Sequence, residues 1–139
     1  MQNYGKMSHT PYDCKYHVVW ITKYRKRILS GLVAERVREL LRGLCKEHAV
    51  EIQKGHISTD QVHLFFSVPL HLIISKLVQY MKGESSYKML QEHRSLSKMF
   101  WGLHLWGGGC FVATSGNITD EVIMEYINNQ DGDDNFSIF

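Results

Sequence analysis

A strand-like segment between residues 60 and 69 carries two polar side chains that could act as ligands. The segment is DQVHLFFSVP, in which Gln61 and His63 are two residues apart. Because side chains alternate between the faces of a β-strand, Gln61 and His63 share one face with Phe65, while Val62 and Leu64 take the other. Imidazole nitrogen and carboxamide oxygen can both coordinate a cation. The ordinary structural explanation is a histidine bonded to a nearby backbone carbonyl and a glutamine near a strand end.

A second polar pair lies near the end of the chain. Tyr126 and Gln130 are four residues apart, so they would share one face of a helix. A phenol has an ordinary pKa of about 10 and is a weak nucleophile at neutral pH, so it needs a positive neighbour or a base. Val122, Ile123 and Ile127 complete an amphipathic stripe with Tyr126, which also fits an ordinary core edge. Neither polar pair establishes a site by itself.

The elements that must position these pairs alternate in a recognisable order. Aromatic and β-branched stretches indicate strands, apolar residues at helical spacing indicate helices, and Ser30 is a candidate helix cap. The predicted strands are 14–22, 50–57, 61–68 and 109–114, the predicted helices are 30–47 and 71–90, and a last helix begins near Thr119. This order predicts an α+β fold, a ferredoxin-like (βαββαβ) antiparallel sheet with helices on one face plus a C-terminal helix carrying the tyrosine. The other face of the sheet then needs cover or a function.

Charge is distributed unevenly along the chain. Six of the 14 acidic residues lie after residue 119 and no Lys or Arg does, so residues 1–119 carry all 16 basic residues, eight acidic ones and a formal charge of +8. The densest basic cluster, residues 23–27, interleaves one tyrosine with four cations. Such a cluster is either a solvated loop or a contact for nucleic-acid phosphates. The residues predicted to bind DNA are Lys23, Tyr24, Arg25, Lys26, Arg27, Lys82 and Lys88, with Tyr24 or Tyr87 as candidates for stacking on a base.

Length and composition favour one globular domain. The chain has 139 residues and 44% hydrophobic content, and we expect a core of about residues 12–130 with an acidic tail at 131–139 outside it. No apolar run approaches the ~20 residues that cross a bilayer, and the polar start lacks a signal-peptide core, so a cytoplasmic location is expected. The three cysteines are far apart and predict buried thiols rather than a disulfide framework or a zinc site.

Several blocks, taken in order, resemble one family: the IS200-like single-tyrosine transposases, which carry a histidine-hydrophobe-histidine (HUH) motif and serve minimal bacterial and archaeal insertion sequences. The resemblance spans about residues 12–130, nearly the whole chain. The blocks are Tyr16–Trp20, Thr22–Arg25, Asp60–Leu64, Ser67–Pro69, Lys82–Gly83, Ser85–Ser86, His104–Trp106, Phe111–Thr114, Gly116–Asn117 and Tyr126–Gln130. So many ordered blocks are far more specific than one short motif.

The resemblance implies single-stranded DNA transposition. Members of this family bind DNA hairpins near the element ends, then cut and rejoin single strands through a 5′-phosphotyrosine, without a nucleotide cofactor. It implies that Tyr126 is the nucleophile, that His63 and Gln130 are ligands of Mg²⁺ or Mn²⁺, and that the protein is a homodimer. The tyrosine helix of one subunit often completes the other subunit's site in this family, so Tyr126 could act in cis or in trans.

Gln61 departs from the family pattern, which has histidine at that position. A carboxamide oxygen is uncharged and lacks the rigid lone pair of imidazole, so metal affinity should fall. Three interpretations remain open: Gln61 is a weaker metal ligand, water replaces it, or the protein binds DNA without cutting. A substitution introduced to inactivate the protein would leave the same residue. An RNA-binding ferredoxin-like domain is a further alternative, but the strands lack its aromatic-rich motifs.

Overall fold

The chain forms an antiparallel sheet with helices on one face. In this computed structural model, the described residues are 13–102, 104–114, 122, 125 and 135–138. The strands are β1 (Asp13–Ile21), β2 (Glu51–Ser58), β3 (Gln61–Pro69), β4 (Phe111–Thr114) and β5 (Asn135–Ile138), and the helices are α1 (Gly31–Glu47), α2 (Ile74–Glu92) and α3 (Arg94–Met99). The predicted ferredoxin-like α+β fold is therefore confirmed.

Strand β3 lies at the centre of the sheet. The strand order is β4-β1-β3-β2-β5, and every neighbouring pair is antiparallel. The first four strands follow the order expected when two βαβ units interleave. Seven consecutive residues, 62–68, are buried, because β3 is hydrogen-bonded on both sides and covered on both faces. The strand that carries Gln61 and His63 is thus enclosed along nearly all of its length.

Side chains alternate along β3 as the sequence predicted. Val62, Leu64, Phe66 and Val68 all belong to the main hydrophobic core beneath the helices. Gln61 and the side chains that alternate with the core residues point to the opposite face of the sheet. Folding therefore uses one face of the strand for stability and leaves the other for polar groups.

The helices differ from the prediction mainly at their ends. Ser30 occupies the N-cap of α1 with extended backbone, but its side chain makes no capping hydrogen bond. Helix α2 begins three residues later than predicted and continues through Gly83 to Glu92. Helix α3 was not predicted, because its six residues are too few to display a helical period. The side chain of Arg36 donates two hydrogen bonds, of 2.8 and 2.9 Å, to the carboxylate of Glu92 and so connects α1 to α2.

The end of the chain adds a strand, and one expectation from the sequence is corrected. Asn135–Ile138 pair with β2, where they satisfy backbone groups that an exposed sheet edge would leave unpaired, whereas residues 131–134 of the predicted acidic tail lie outside the described residues. The cysteines are not all buried: Cys45 is, Cys14 is half-buried, and Cys110 is exposed because it precedes the edge strand β4. Among the described residues, no helix combines the length and apolar character that a membrane span requires.

Helix α2 holds the segment before β4 through side-chain hydrogen bonds. The hydroxyl of Ser86 accepts a hydrogen bond of 2.9 Å from the backbone N–H of Leu105, and that of Ser85 accepts one of 2.9 Å from the indole N–H of Trp106. Both serines are buried. The Lys82 ammonium donates to the carbonyl oxygens of Gly107 and Gly109 at 2.9 and 2.7 Å. Residues 105–109 are therefore tied to α2 at four points.

Replacing Ser86 should destabilise the fold measurably. Ser86→Ala leaves the buried N–H of Leu105 without its acceptor, so the free energy of unfolding should fall by about 1–3 kcal/mol. Urea unfolding followed by circular dichroism measures the change. Ser75→Ala removes an exposed hydroxyl from the same helix and is the matched control. Equal midpoints for the two variants would show that this hydrogen bond does not hold the segment.

Candidate active site

Gln61 and His63 lie together on the face of the sheet that points away from the main core. The Gln61 carboxamide oxygen accepts a hydrogen bond of 2.9 Å from Nε2 of His63. Since that oxygen can only accept, Nε2 of His63 carries the proton in this arrangement. His63 is 1% exposed, whereas Gln61 at the start of β3 is half-buried. The pair therefore sits at the boundary between the covered part of this face and solvent.

His63 has two further histidines beside it, and neither was predicted to be there. His56 on β2 is directly opposite His63, with ring centroids 6.3 Å apart. His17 on β1 stacks against His63 at 5.9 Å, and both flanking histidines are buried. The sequence pattern alone assigns no role to His56 or His17. The available signal was that each alternates with core residues on its own strand.

Burial makes His63 a neutral side chain at pH 7. Desolvation, followed by the nearby His17 and His56, lowers the pKa of His63 from 6.5 to about 4, although Asp60 opposes the shift. Desolvation also lowers the pKa of His17. A neutral imidazole can offer a lone pair to a metal without first losing a proton to solvent. The electrostatics thus favour a ligand over a cation at this position.

The side chains of Gln61 and His63 are close enough together to be ligands of one divalent cation. Adjacent ligands of an octahedral Mg²⁺ at about 2.1 Å are about 3 Å apart, close to the 2.9 Å between the Gln61 oxygen and His63 Nε2. The carboxamide oxygen suits Mg²⁺ or Mn²⁺, whereas imidazole nitrogen is a more usual ligand of Zn²⁺, Cu²⁺, Fe²⁺ or Ni²⁺. Binding would require the His63 proton to move from Nε2 to Nδ1. Within the described part of the chain, no group of three or more His, Cys, Asp or Glu side chains could hold a metal.

The basic cluster lies beside this pair because its turn docks onto the β2–β3 connection. The backbone N–H of Thr22 bonds to the Asp60 carbonyl at 2.9 Å, and Nε of Arg25 lies 3.1 Å from the Asp60 carboxylate. Tyr24 is 74% exposed, and the Lys23 ammonium lies 5.5 Å from its ring centroid. Lys26 and Arg27 are also exposed. Asp60 thus joins the basic turn to the start of β3.

The other predicted site residues lie either on α2 or outside the described part of the chain. Lys88 and Tyr87 are exposed on α2, as a DNA contact requires, whereas Lys82 is half-buried and bound to two carbonyl oxygens. Desolvation lowers the pKa of Lys82, and its first role is to hold the Gly107–Gly109 segment. Tyr126 and Gln130 lie outside the described residues, although Val122 and Glu125 of the predicted last helix are helical.

The buried imidazole should make stability depend on pH. Because the folded pKa of His63 is about 4 and the unfolded value is 6.5, the unfolded chain takes up the proton first. The contribution of His63 to the free energy of unfolding should be fully present above about pH 6.5. The free energy of unfolding should then fall by up to about 3 kcal/mol as the pH drops toward 4. Urea unfolding at several pH values measures this slope. His63→Asn should flatten it, while His71→Gln, at an exposed histidine, should leave it intact. An unchanged slope in His63→Asn would contradict this assignment.

Comparison with known proteins identifies relatives over most of the chain. The family model "Transposase IS200 like" matches residues 10–130. The transposase for insertion sequence element IS200 of Salmonella typhimurium LT2 is 31% identical over 89% of this chain and 81% of its own length. The ISDra2 transposase TnpA of Deinococcus radiodurans is 30% identical over 86% of this chain and 85% of its own.

Solved structures share the fold. The crystal structure of a candidate transposase from Deinococcus radiodurans R1 has a TM-score of 0.70 and 31% identity, covering 86% of this chain and 92% of its own. A REP-associated tyrosine transposase bound to a REP hairpin has a TM-score of 0.63 at 12% identity, covering 84% and 66%, which is a likeness of fold alone. The family match reaches from before β1 to the end of the predicted tyrosine helix. The chain therefore belongs to the IS200-like transposase family.

Proposed function

We propose that this protein is a single-stranded DNA transposase that binds hairpin ends and cuts and rejoins strands through a 5′-phosphotyrosine at Tyr126. The observation that carries the proposal is the pairing of Gln61 with His63 at 2.9 Å, on a strand inside the segment that matches the family. The hairpin bound to a transposase of similar fold supports a hairpin as the DNA to test.

The reaction is a transesterification that needs no external energy source. The Tyr126 oxygen, on losing its proton, attacks the phosphorus of a phosphodiester, and the bond to the 3′ oxygen breaks. One strand end leaves as a 3′-hydroxyl, whose oxygen takes up one proton for the one that the phenol lost, while the 5′ phosphate remains on the tyrosine. Because the phosphotyrosine ester replaces the phosphodiester that was broken, a 3′-hydroxyl can attack it without an external energy source and restore a phosphodiester. Cutting and rejoining are thus one reaction in two directions.

The proposed ligands of Mg²⁺ or Mn²⁺ are His63, Gln61 and Gln130. A bound divalent cation supplies positive charge that offsets the charge developing on the phosphate. The buried, neutral ring of His63 is held by the central strand, so little ordering is needed when it binds. Gln61 would be a weaker metal ligand than His63, and its hydrogen bond with His63 competes with metal coordination.

That hydrogen bond also favours a second candidate function, DNA binding without cleavage. With Gln61 accepting from Nε2 of His63, the two groups satisfy each other in the absence of an ion. A metal would therefore have to break this hydrogen bond before it could bind both groups. A histidine at position 61 would not offer the same acceptor oxygen to His63. The second candidate is a catalytically impaired relative that retains the DNA-binding surface.

The DNA-binding surface is proposed to begin at the basic turn. Lys23, Lys26 and Arg27 would contact phosphates beside the start of β3, with Lys88 extending the surface along α2, and Tyr24 is exposed enough to stack on a base. Arg25 shares its charge with Asp60, an exposed pair that phosphate could displace. We further propose a homodimer, in which Tyr126 serves the site of either its own chain or its partner.

Removing the phenol should abolish the covalent intermediate. Wild-type protein incubated with Mn²⁺ and a labelled hairpin strand should form an adduct of protein and DNA, seen as a shifted band on a denaturing gel. Tyr126→Phe should form none, because the nucleophilic oxygen is absent. Tyr80→Phe removes the hydroxyl of an exposed tyrosine that is assigned no DNA contact and should leave the adduct intact. Adduct formation by Tyr126→Phe would contradict the assignment of the nucleophile.

Restoring the imidazole at position 61 should strengthen metal binding. Gln61→His supplies a second nitrogen ligand, so Mn²⁺ affinity should rise about tenfold or more and cleavage should increase at low Mn²⁺. Paramagnetic resonance of free Mn²⁺ measures the affinity independently of cleavage. Gln79→His adds a histidine on the exposed face of α2 and serves as the control. Unchanged affinity in Gln61→His would show that Gln61 does not lie at the metal site.

A further inference from the structure

The turn after α3 presents a tryptophan to solvent in a strained conformation. Trp101 is 86% exposed, whereas Trp20 and Trp106, the other two tryptophans of the chain, are 1% and 5% exposed. Its φ is +58°, in the left-handed region that residues other than glycine rarely adopt. An exposed indole contributes little to folding, and this backbone costs about 1 kcal/mol or more. Folding alone does not explain this residue.

Hydrogen bonds on both sides fix the turn that carries Trp101. Its backbone N–H donates to the Lys98 carbonyl at 3.3 Å, and the N–H of Gly102 donates to the Ser97 carbonyl at 2.7 Å. Phe100, the preceding residue, is 2% exposed and anchors the turn in the core. The indole is therefore presented from a backbone whose position is defined, which reduces the entropy lost when a flat partner binds.

Positive charge surrounds the indole. Arg94 and Lys98 line an open concavity of about 760 Å³ together with Trp101. Within the described part of the chain, neither cation forms an ion pair. The nearest carboxylate along the chain, that of Glu92, already accepts two hydrogen bonds from Arg36. The charge around the indole thus favours an anionic partner.

This concavity continues into a second groove. Ser97 and Gly102 line both, and the second groove, of about 690 Å³, is also lined by Lys23 and Tyr87. Tyr87 is 63% exposed. Two adjoining grooves are thus lined by rings and cations: Lys23 and Tyr87 in one, and Arg94, Lys98 and Trp101 in the other. We call this continuous surface, from Lys23 through Tyr87 to Trp101, the aromatic track.

We propose that the aromatic track binds an unpaired stretch of the DNA strand, with a base stacked on Trp101 and the adjoining phosphates on Arg94 and Lys98. Stacking on a protein ring requires a base face that no neighbouring base pair covers, so an unpaired strand fits this surface and a blunt duplex does not. Alternating rings and cations are the usual means of binding single strands. The inference rests on the proposed DNA function and extends it by naming which part of the substrate α3 contacts.

Collisional quenching tests the contact directly, because Trp101 is the exposed one of the three tryptophans. Acrylamide quenching of the wild type should decrease when an oligothymidylate of about 16 nucleotides, within the range of single-strand sites, is added. A blunt duplex of the same length should leave quenching unchanged. Trp101→Phe should lose most of the quenchable signal yet bind within about threefold of wild type, since a ring remains.

Two variants separate binding from folding. Trp101→Ala should weaken oligothymidylate binding about fivefold or more. Trp101→Gly should bind oligothymidylate as weakly as Trp101→Ala does. It should nevertheless unfold at a urea concentration equal to or higher than that of the wild type, because glycine adopts a positive φ without strain. Tyr80→Ala is the matched control: this tyrosine is 40% exposed, and the charged groups acting on it are Glu47 and Glu84.

The outcomes distinguish this inference from the proposed function. Unchanged quenching by oligothymidylate, or wild-type affinity in Trp101→Ala, overturns the inference even if a Tyr126 adduct forms. Protection of Trp101 without any adduct supports the inference and counts against cleavage. Equal protection by polyglutamate also overturns it, since charge alone rather than a stacked base would then cover the ring.

Discussion

The central position of β3 is the constraint on which the rest of the structure depends. A strand paired on both sides cannot shift its register without breaking two ladders, and a shift of one residue would turn Leu64 and Phe66 away from the main core and Gln61 toward it. The burial of the core face therefore fixes where His63 points. Stability and the candidate chemistry are coupled through one segment, which explains how a nearly inaccessible imidazole can be held in a defined place.

The same enclosure sets the chemical character of the site. Desolvation and two neighbouring histidines keep His63 neutral, which suits a ligand of a divalent cation better than a cation that holds phosphate. Gln61 satisfies Nε2 when no ion is bound. A polar group that is buried without a partner is costly, so this contact stabilises the metal-free protein and would oppose the metal binding proposed above. Whether the chain cuts DNA depends on the balance between these two effects.

Around this site the structure arranges positive charge through backbone contacts. Asp60 joins the turn that carries Lys23 to the first residue of β3. On the other side, the Lys82 ammonium donates two hydrogen bonds to the segment before β4 and is therefore less free to contact a phosphate. That segment and α3 form the walls of the grooves that lead to Trp101. A lysine that the sequence presents as a DNA contact thus acts first as a support for neighbouring contacts.

The sequence by itself determined the order β1-α1-β2-β3-α2-β4, the ferredoxin-like class, the family and the shared face of Gln61 and His63. These follow from local periodicity and from ordered motifs, which do not depend on distant contacts. Only the tertiary structure placed His17 and His56 beside His63, because strand register and order join residues far apart in the chain. The tertiary structure also added β5 to an edge strand and exposed Trp101, since pairing and burial depend on the neighbours a segment meets after folding rather than on its own composition.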